Sequence, residues 1–470
     1  MSVPSPTLSE PARTTPCDDE SDVIVCGAGP AGVAAAVAAA RLGARTTLIE
    51  VHGMLGGVWT AGALSWIIDA GGKPGIMAEI VARLEASGPG PAGRPDFSYD
   101  VEAMKLVLDT MCVEAGVRVL LHTRVVGAQV TDGRLRAVVT ESKSGRIAFS
   151  ASTFVDSTGD GDLAALSGCT YQLGHPVTGQ LQPLTLMALV SGISLPDMAD
   201  VAIANDITRL GEEHLSPASR RRISKQNLMG ELSRAGVQPS YTGPSLFAVR
   251  DDVFALMANH QYGIRPDDAP AISTATIEAR RELNDIVTGL RSLGGRWSRL
   301  QLINTASQIG VREGRRIAGH YRVSGDDVRR GARHDDAVTL VSFGFDVHAL
   351  TRAEGGEVSP TMSDIRKDAR PYEVPLRALV ARDVDGLLLA GRCISGDFWA
   401  HSSYRVTGNA VATGEAAGVA AALAARMACP VMQVPWRDIA SVLPYQHDRY
   451  AEAGHTSSTV KTPETKGPRP

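Results

Sequence analysis

The sequence predicts an α/β protein in which both chain ends build one domain around a central parallel sheet and the middle is inserted as an α+β cap. Three observations support this prediction. Short apolar segments alternate with an Ala-rich helical segment near the N terminus. Short apolar strands and a long helix of small residues return near the C terminus. Between about residues 182 and 334 the chain instead favours polar, arginine-rich helices. The 470 residues also exceed the roughly 250–300 at which single cores stop growing, so we expect two joined domains.

The domain boundaries follow these changes in composition. Both termini are rich in Ser, Thr and Pro and lack apolar periodicity, which predicts disordered tails at 1–21 and 456–470. The first domain is predicted to comprise 22–181 and 372–455. The substrate or cap domain is predicted to comprise 182–371.

Composition excludes several functions. The 47 Lys and Arg against 51 Asp and Glu give a net charge of −4, which offers no reason to expect nucleic acid as a partner. The six cysteines form no CxxC pair and no histidine cluster has metal spacing, so no metal site is predicted. Val23 to Ala40 carries no charge, but its Ala and Gly content and the acidic residues before it favour a βα unit over a membrane span or signal peptide. We therefore expect a cytoplasmic protein without a membrane partner.

The first elements predict a dinucleotide site. Strand 22–26 is followed by helix 30–42 and strand 46–50, and the turn between the first two reads GAGPAG, a GxGxxG motif. The first glycine permits a tight turn, the second a close approach of pyrophosphate, and the third close packing of helix on strand. The acid that ends the second strand suits the ribose hydroxyls. The predicted cofactor contacts here are Gly27, Gly29, Pro30, Ala31, Gly32 and Glu50.

A second glycine pair favours FAD over NAD. The segment 52–60 reads HGMLGGVWT, and a simple NAD site does not need this pair. An extended FAD does, because the chain must cross close to the pyrophosphate and the ring system. We therefore add Gly56, Gly57 and Thr60 to the predicted contacts.

The later elements follow in order. An amphipathic helix is predicted at 101–115, a strand at 117–121, a hairpin around 131–133 and a strand at 154–156 that runs into the turn STGDGD. Near the C terminus we predict a strand at 386–390 and a helix from 408 to 425. That helix directs its N terminus at the flavin, where backbone N–H groups of Thr407, Gly408 and Asn409 stabilise negative charge. Gly414 and Gly418, four residues apart, allow it to pack tightly.

Three of these segments carry a family resemblance. Residues 155–162 (VDSTGDGD), 309–317 (IGVREGRRI) and the block from 391 to 418 resemble the family called FAD-dependent oxidoreductase, in the glutathione-reductase-like superfamily and related to aspartate oxidase and fumarate reductase. The resemblance implies a Rossmann-like FAD-binding domain, a flavoprotein with non-covalent FAD, and an oxidoreductase. It is specific for fold and cofactor and says little about substrate. The further FAD contacts predicted with it are Val125, Thr158, Gly159, Asp160, Gly391, Arg392, Gly408 and Asn409.

The same resemblance supplies the catalytic candidates. The family pattern SxSHEAHGSxRV is met by SGDFWAHSSYRV at 395–406, which keeps the second histidine, His401, and the arginine, Arg405. Phe398 and Trp399 replace the first histidine and the acid, so a more apolar substrate surface is expected. Residues 345–348 (FDVH) match a run that is frequent in the family. On a strand, the acid and the imidazole two residues later lie on the same face, which makes His348 a third candidate.

Function is predicted at the level of reaction type. We expect a dehydrogenase or oxidase in which a base, His401, removes a proton from a small organic alcohol or amine while hydride passes to flavin N5. Only one GxGxxG follows a predicted strand, which argues against a dedicated NAD(P)H domain. The alternatives are a C=C reductase or monooxygenase, a non-catalytic FAD-holding scaffold, and a plain NAD dehydrogenase. The electron acceptor (O2, a quinone or a carrier) and any oligomeric state stay open.

Overall fold

A computed structural model describes residues 8–87, 96–204, 215–352 and 368–449. Within these ranges the strands are β1 (Cys17–Asp18), β2 (Val23–Cys26), β3 (Thr46–Ile49), β4 (Trp66–Ile67), β5 (Phe97–Ser98), β6 (Arg118–Leu120), β7 (Arg124–Thr131), β8 (Arg134–Ser142), β9 (Gly145–Ser150), β10 (Thr153–Asp156), β11 (Tyr171–Gln172), β12 (Ala188–Ser191), β13 (Ala202–Ile203), β14 (Ser245–Arg250), β15 (Val253–Met257), β16 (Gln301–Thr305), β17 (Arg316–Ile317), β18 (Ala337–Val341), β19 (Tyr372–Pro375) and β20 (Leu387–Leu389). The helices are α1 (Pro30–Arg41), α2 (Ile76–Ser87), α3 (Val101–Glu114), α4 (Asp162–Leu166), α5 (Pro217–Arg234), α6 (Ala269–Ser292), α7 (Gly325–Arg330), α8 (Phe398–Tyr404), α9 (Thr407–Met427) and α10 (Trp436–Ala440).

A five-stranded parallel sheet forms the centre of the unit that both parts of the predicted FAD-binding domain build, here called the first unit. Its order is β20-β10-β2-β3-β6, so a strand from the far end of the chain lies beside strands from the beginning. The residues of β2, β3, β10 and β20 are all buried, as expected for strands covered on both faces. The α/β class and a central sheet built from both chain ends are confirmed.

Helix α9 packs directly on α1, and two glycines make this possible. A Cβ on Gly414 would overlap the carbonyl oxygen of Ala31, and one on Gly418 would overlap that of Ala35. Thr153 Oγ1 also donates to Ala421 O at 3.1 Å, which fixes α9 against β10. The tight packing predicted from the glycine spacing is confirmed.

The uncharged stretch Val23 to Ala40 forms β2 and most of α1, as predicted. Across the parts of the chain that the structure describes, no helix combines the length and the apolar character needed to cross a bilayer.

A four-stranded sheet, β1-β9-β8-β7, flanks the first unit. Asp132 and Gly133 have positive φ angles and form the predicted hairpin turn between β7 and β8. The segment 1–21, predicted as a disordered tail, contributes β1, which pairs in parallel with β9. Residues 1–7 and the second predicted tail, 456–470, lie outside the described residues.

The inserted unit is built on a second sheet, β13-β14-β15-β12-β16, covered by α5 and α6. Helix α6 begins after Asp268, whose side chain accepts from Ala271 N, and buries one face at positions such as Ala279, Leu283 and Ile286. The composition of this segment predicts helices and does not indicate this sheet. Its strands are short, and the polar, arginine-rich composition around them masked the two-residue periodicity.

The buried side chains separate two cores. The second runs from Leu184 to Ile309, with Ala63 and Trp66 added from the first unit. Ile317 to Phe345 instead contribute to the first core, although the predicted cap extended to 371. The reason is that β18 pairs with β19 and packs on α9, which belong to the first unit.

Candidate functional site

The predicted GxGxxG turn lies at the carboxyl end of β2. Gly27 has a φ of +90°, and a Cβ there would lie 2.7 Å from Ser157 O. A Cβ on Gly32 would overlap the carbonyl oxygen of Gly27, so this glycine lets α1 start against the turn. A Cβ on Gly29 would meet nothing within 4 Å. Two of the three glycines therefore serve packing, and the middle one faces open space, where the motif places a pyrophosphate.

The second glycine pair lies over this turn. Gly56 N donates to Ala28 O at 2.7 Å, and a Cβ on Gly57 would lie 3.0 Å from Gly29 Cα. Both glycines have positive φ angles. Thr60 Oγ1 donates to Leu55 O at 2.5 Å, so its hydroxyl closes this loop.

Glu50 ends the second strand and turns back to the glycine motif. Its Oε2 accepts from Ala28 N at 2.6 Å and its Oε1 from His52 N at 2.8 Å. Each oxygen keeps a second lone pair, so these bonds leave room for the predicted ribose hydroxyls.

The turn after β10 is organised by Asp156. This buried carboxylate accepts from Thr158 N, Thr158 Oγ1 (2.7 Å) and Ala164 N (2.8 Å). Burial nevertheless raises its pKa to about 6. Arg392 donates to Asp160 Oδ1 at 2.8 Å and occupies the space that a Cβ on Gly159 would fill. Two predicted FAD contacts from distant parts of the chain, Asp160 and Arg392, thus form an ion pair with each other.

The beginning of α9 lies beside this turn. Gly391, with a φ of +80°, donates from its N–H to Thr413 Oγ1 at 3.1 Å. Gly408 N donates to Ile68 O, so this N–H is not the open donor predicted from the sequence. The side chain of Asn409 is fully buried, and neither Oδ1 nor Nδ2 has a partner among the described residues. Val125, another predicted contact, lies on β7 opposite Thr140 and packs on the first core.

His401, the leading catalytic candidate, lies inside the protein. The residue is 0% exposed, and both ring nitrogens lack a partner among the described residues. Burial, followed by the charges of Arg316 and Arg405, holds the pKa of His401 well below its ordinary value. The imidazole is therefore neutral, but it has no open side through which a substrate reaches it.

His348 and Arg405 meet at Asp346. His348 Nε2 lies 3.4 Å from Asp346 Oδ2, and Arg405 donates to Asp346 Oδ2 at 3.0 Å and to Asp346 O at 2.8 Å. The strand predicted over Phe345–His348 does not form. The reason is that these backbone N–H groups bond to side chains instead of a neighbouring strand: Asp346 N donates to Ser402 Oγ, and His348 N donates to Gln182 Oε1.

A group of aromatic and imidazole rings adjoins this trio. The rings of His260 and His348 lie 5.1 Å apart, and Tyr241 stacks on His260 at 4.0 Å. His260 Nδ1 is 3.2 Å from Tyr262 Oη. Burial is the largest cause that lowers the pKa of both histidines, in the case of His348 to about 4, so both rings are neutral at pH 7. We call Tyr241, His260, Tyr262, Arg312, Asp346, His348 and Arg405 the polar cluster.

Arg312 completes the polar cluster. Its NH1 donates to Pro183 O at 2.8 Å and to Thr185 Oγ1 at 2.7 Å. Thr185 and Gly310 exchange two backbone hydrogen bonds, so Arg312 lies where the two segments that join the units run side by side. Burial and the charge of Arg405 lower the pKa of Arg312 to about 10, and the guanidinium stays charged.

Comparison with known proteins decides the family. The model of the family described as FAD dependent oxidoreductase matches residues 22–443, which is most of the chain.

The chain belongs to this family.

Its cofactor is accordingly FAD, and the protein is an enzyme of the oxidoreductase class.

Curated relatives match this FAD-dependent oxidoreductase over a short segment. Leghemoglobin reductase from Glycine max is 59% identical over 39 residues, and mitochondrial dihydrolipoyl dehydrogenase from Pisum sativum is 56% identical over 39 residues. Each match spans 8% of this chain and 8% of the relative, so these likenesses describe one segment only.

Solved structures resemble the chain over most of its length. A geranylgeranyl bacteriochlorophyll reductase-like protein from Thermoplasma acidophilum has a TM-score of 0.46 at 14% identity, with 95% of this chain and 89% of that chain covered. The p-nitrophenol 4-monooxygenase of Pseudomonas putida has a TM-score of 0.44 at 11% identity, with 96% and 91% covered.

The described residues fit FAD. The open space at Gly29 lies at the start of α1, where backbone N–H groups favour phosphate. The unpartnered amide of Asn409 lies in the first turn of α9 and offers both a donor and an acceptor to a polar ring edge. A buried amide without partners is costly, so a cofactor that bonds to it accounts for its presence.

The structure changes the interpretation of two further residues. Phe398 is 1% exposed and packs with Val347 and Leu350 in a small third core, so it is not part of an apolar substrate surface. Trp399 is half-buried and packs against Gly325.

Sequence reasoning missed Tyr241, His260 and Tyr262. They lie in the inserted unit and belong to no motif, so only the folded structure brings them to Asp346 and Arg405.

Proposed function

We propose that this FAD-dependent oxidoreductase oxidises a small organic alcohol or amine, with His348 in place of His401 as the base. The observation that carries the proposal is the group formed by Asp346, His348 and Arg405. Arg405 ends α8, two residues before α9 begins, so this group adjoins the helix turn that carries the unpartnered Asn409.

The surroundings of the two rings favour His348 over His401, because His348 lies beside a carboxylate, Asp346, that can stabilise its protonated form. His348 is 7% exposed and its partner Asp346 is half-buried, whereas His401 is 0% exposed. A base must come within hydrogen-bond distance of the proton it removes, or within one water molecule of it. Nε2 of His348 lies 3.4 Å from Asp346 Oδ2, whereas neither ring nitrogen of His401 has a partner among the described residues.

His348 is unprotonated at pH 7, as a group that accepts a proton must be. A pKa of about 4 keeps the ring neutral at pH 7. When Nε2 carries the hydrogen and donates it to Asp346, the lone pair of Nδ1 has no other partner in the described residues. We assign Nδ1 as the atom that receives the hydroxyl or amine proton. Asp346 then stabilises the imidazolium, and Arg405 holds Asp346 in place.

FAD, when bound, supplies the acceptor for the hydride that leaves the adjacent carbon. The chain supplies the remaining parts. The glycine turn binds the FAD phosphates, and the polar cluster orients the substrate. The FAD is proposed to be non-covalent, and the electron acceptor is a small molecule or protein outside the chain.

The first experiment records the visible spectrum of the purified protein before and after denaturation. Flavin bands that leave with the small molecules support non-covalent FAD. Anaerobic bleaching by alcohols or amines supports the proposed direction of electron flow. Bleaching by NADH or NADPH alone, with no effect of alcohols or amines, would contradict it and favour a reductase or monooxygenase.

The second experiment tests the base. We expect His348→Gln to retain FAD and to lose about 10²- to 10⁴-fold in the rate of anaerobic bleaching, the usual contribution of a general base. His320→Gln is the matched control, because His320 is exposed and outside the polar cluster. An unchanged rate in His348→Gln would refute the assignment.

A further inference from the structure

Arg312 carries a positive charge and forms no ion pair with a carboxylate among the described residues, although the charge of Asp346 acts on its pKa. Its hydrogen bonds run from NH1 to a backbone carbonyl and a hydroxyl, both neutral groups. Its Nε and NH2 atoms bond to no described residue, and they are not among the side-chain nitrogens that are buried without a partner. These donors therefore keep contact with solvent, at the edge of the polar cluster.

The polar cluster as a whole has an excess of positive charge. Arg312 and Arg405 supply two cations, and Asp346 supplies one anion. His260 and His348 are neutral at pH 7, because burial lowers the pKa of each. Nearby Glu313 is already paired with Arg316 at 2.5 Å and does not neutralise Arg312.

A half-buried guanidinium without a counter-ion is costly to maintain, since a charge removed from water needs a partner. A planar guanidinium with free N–H donors matches a carboxylate, which accepts two parallel hydrogen bonds from it. The hydrogen bonds of Arg312 involve no residue of the turn between β2 and α1, where Gly29 faces the open space that the motif assigns to the FAD phosphates.

We propose that Arg312 binds a carboxylate of the substrate, so that the enzyme acts on the anion of a hydroxy acid or an amino acid. This inference rests on the proposed function, because it names the substrate class of the same site. Arg312 anchors one end of the substrate. His348 then meets the hydroxyl or amino group at the other end.

The reaction balances without any change at the carboxylate. The C–H bond next to the hydroxyl breaks, and its electron pair leaves with the hydrogen to FAD. The O–H proton passes to His348 Nδ1, and the carbon–oxygen single bond becomes a carbonyl. A 2-hydroxy acid thus yields a 2-oxo acid, and an amino acid yields the corresponding imino acid.

The first test measures binding without turnover. Propionate and benzoate are titrated into the FAD-loaded enzyme, with propionamide and benzamide as neutral analogues of the same shape, and the flavin spectrum is followed. We expect the two anions to shift the spectrum and the two amides to bind at least tenfold more weakly. Equal binding of anions and amides would overturn the proposal.

The variant Arg312→Met then tests the residue. We expect it to retain FAD and to raise the dissociation constant for propionate and benzoate at least tenfold, with little change for the amides. Arg291→Met is the matched control, since Arg291 is exposed near the end of α6 in the inserted unit and its loss changes the net charge equally. Unchanged affinity in Arg312→Met would overturn the assignment.

A comparison of substrates on the native enzyme needs no variant and keeps the proposal testable if Arg312→Met does not fold. Anaerobic bleaching by 2-hydroxybutyrate is compared with bleaching by 2-hydroxybutyramide and 1-propanol. Preference for the acid supports the inference. Bleaching by the neutral alcohols alone would refute the inference and leave the proposed function standing. Arg312-dependent binding of anions with no bleaching by any donor would refute the proposed function and leave the carboxylate site standing.

Discussion

Replacing the middle glycine of the first turn separates folding from cofactor binding. Gly29 has a φ of −68°, which alanine adopts without strain, and a Cβ there meets no atom within 4 Å. Gly27 in contrast has a φ of +90° and a built Cβ only 2.7 Å from backbone atoms of Ser157 and Thr158. The two substitutions, Gly29→Ala and Gly27→Ala, are therefore expected to act in different ways.

The structure sets the size of each effect. For Gly29→Ala the folded protein loses nothing and the unfolded chain loses freedom, so the free energy of unfolding rises by about 0.4–1 kcal/mol. The new methyl group occupies the space into which phosphate must come. Loss of one hydrogen bond to a charged group costs about 1.5–3 kcal/mol, which corresponds to a roughly 10- to 150-fold weaker affinity for FAD.

The assay uses protein stripped of FAD. Thermal unfolding is compared between native protein, Gly29→Ala and Gly27→Ala, and FAD affinity is measured by quenching of flavin fluorescence. We expect the melting temperature of Gly29→Ala to stay within about 2 °C of the native value while its FAD affinity falls. Gly27→Ala is expected to melt at a clearly lower temperature.

Two results would refute this reasoning. Native FAD affinity in Gly29→Ala means that the pyrophosphate does not pass over this glycine. A strongly lowered melting temperature in Gly29→Ala means that the space at Gly29 is filled in the folded protein.

Three further predictions concern other parts of the molecule. Because the pKa of His348 is lowered to about 4 and the base works unprotonated, kcat/KM is expected to be flat from about pH 6 to 8 and to fall only as the pH approaches that pKa; an acid limb near pH 6.5 in the pH–rate profile would contradict the assignment. Burial raises the pKa of Glu415 from its ordinary value of 4.5, which applies in the unfolded chain, to about 7. The folded state therefore loses stability as the pH rises from about 4.5 to about 7. Glu415→Gln is accordingly expected to raise the melting temperature more at pH 8 than at pH 5. A Cβ on Gly418 would overlap the carbonyl oxygen of Ala35, so Gly418→Ala is expected to lower the melting temperature. This loss is expected although alanine is more favourable than glycine in a helix by about 1 kcal/mol. The control is Gly230→Ala in α5, where the built Cβ meets nothing, and it is expected not to lower the melting temperature.

The parts of the fold that sequence reasoning predicted are local. The strand–turn–helix around Gly27 is encoded within a dozen residues, and the motif itself assigns a role to each of its three glycines. The contact of Gly414 and Gly418 with α1 was predicted as tight packing, but the sequence did not name α1 as the partner. The five strands of the central sheet were identified individually because each is a short apolar run between polar turns.

The candidate substrate site was much less predictable. Tyr241, His260 and Arg312 come from three separate segments of the chain, and no spacing in the sequence connects them. The segment at Phe345–His348 reads as a strand because its residues alternate, but side chains of Gln182 and Ser402 take the hydrogen bonds that a strand requires. His401 was chosen from a family pattern, and only the packing of α8 shows that its ring has no open side.

The order of strands in the central sheet has a consequence for biosynthesis. Strand β20, which pairs with β10, is synthesised after it, and the two strands are separated by roughly 230 residues of sequence. At about 5–20 residues per second, a ribosome needs roughly 10 to 50 s to synthesise that interval. During this time one edge of β10 and the face of α1 that later receives α9 are exposed on the nascent chain. The half-made protein is therefore expected to depend on chaperones, and FAD is expected to enter only after translation, once α9 has emerged and docked.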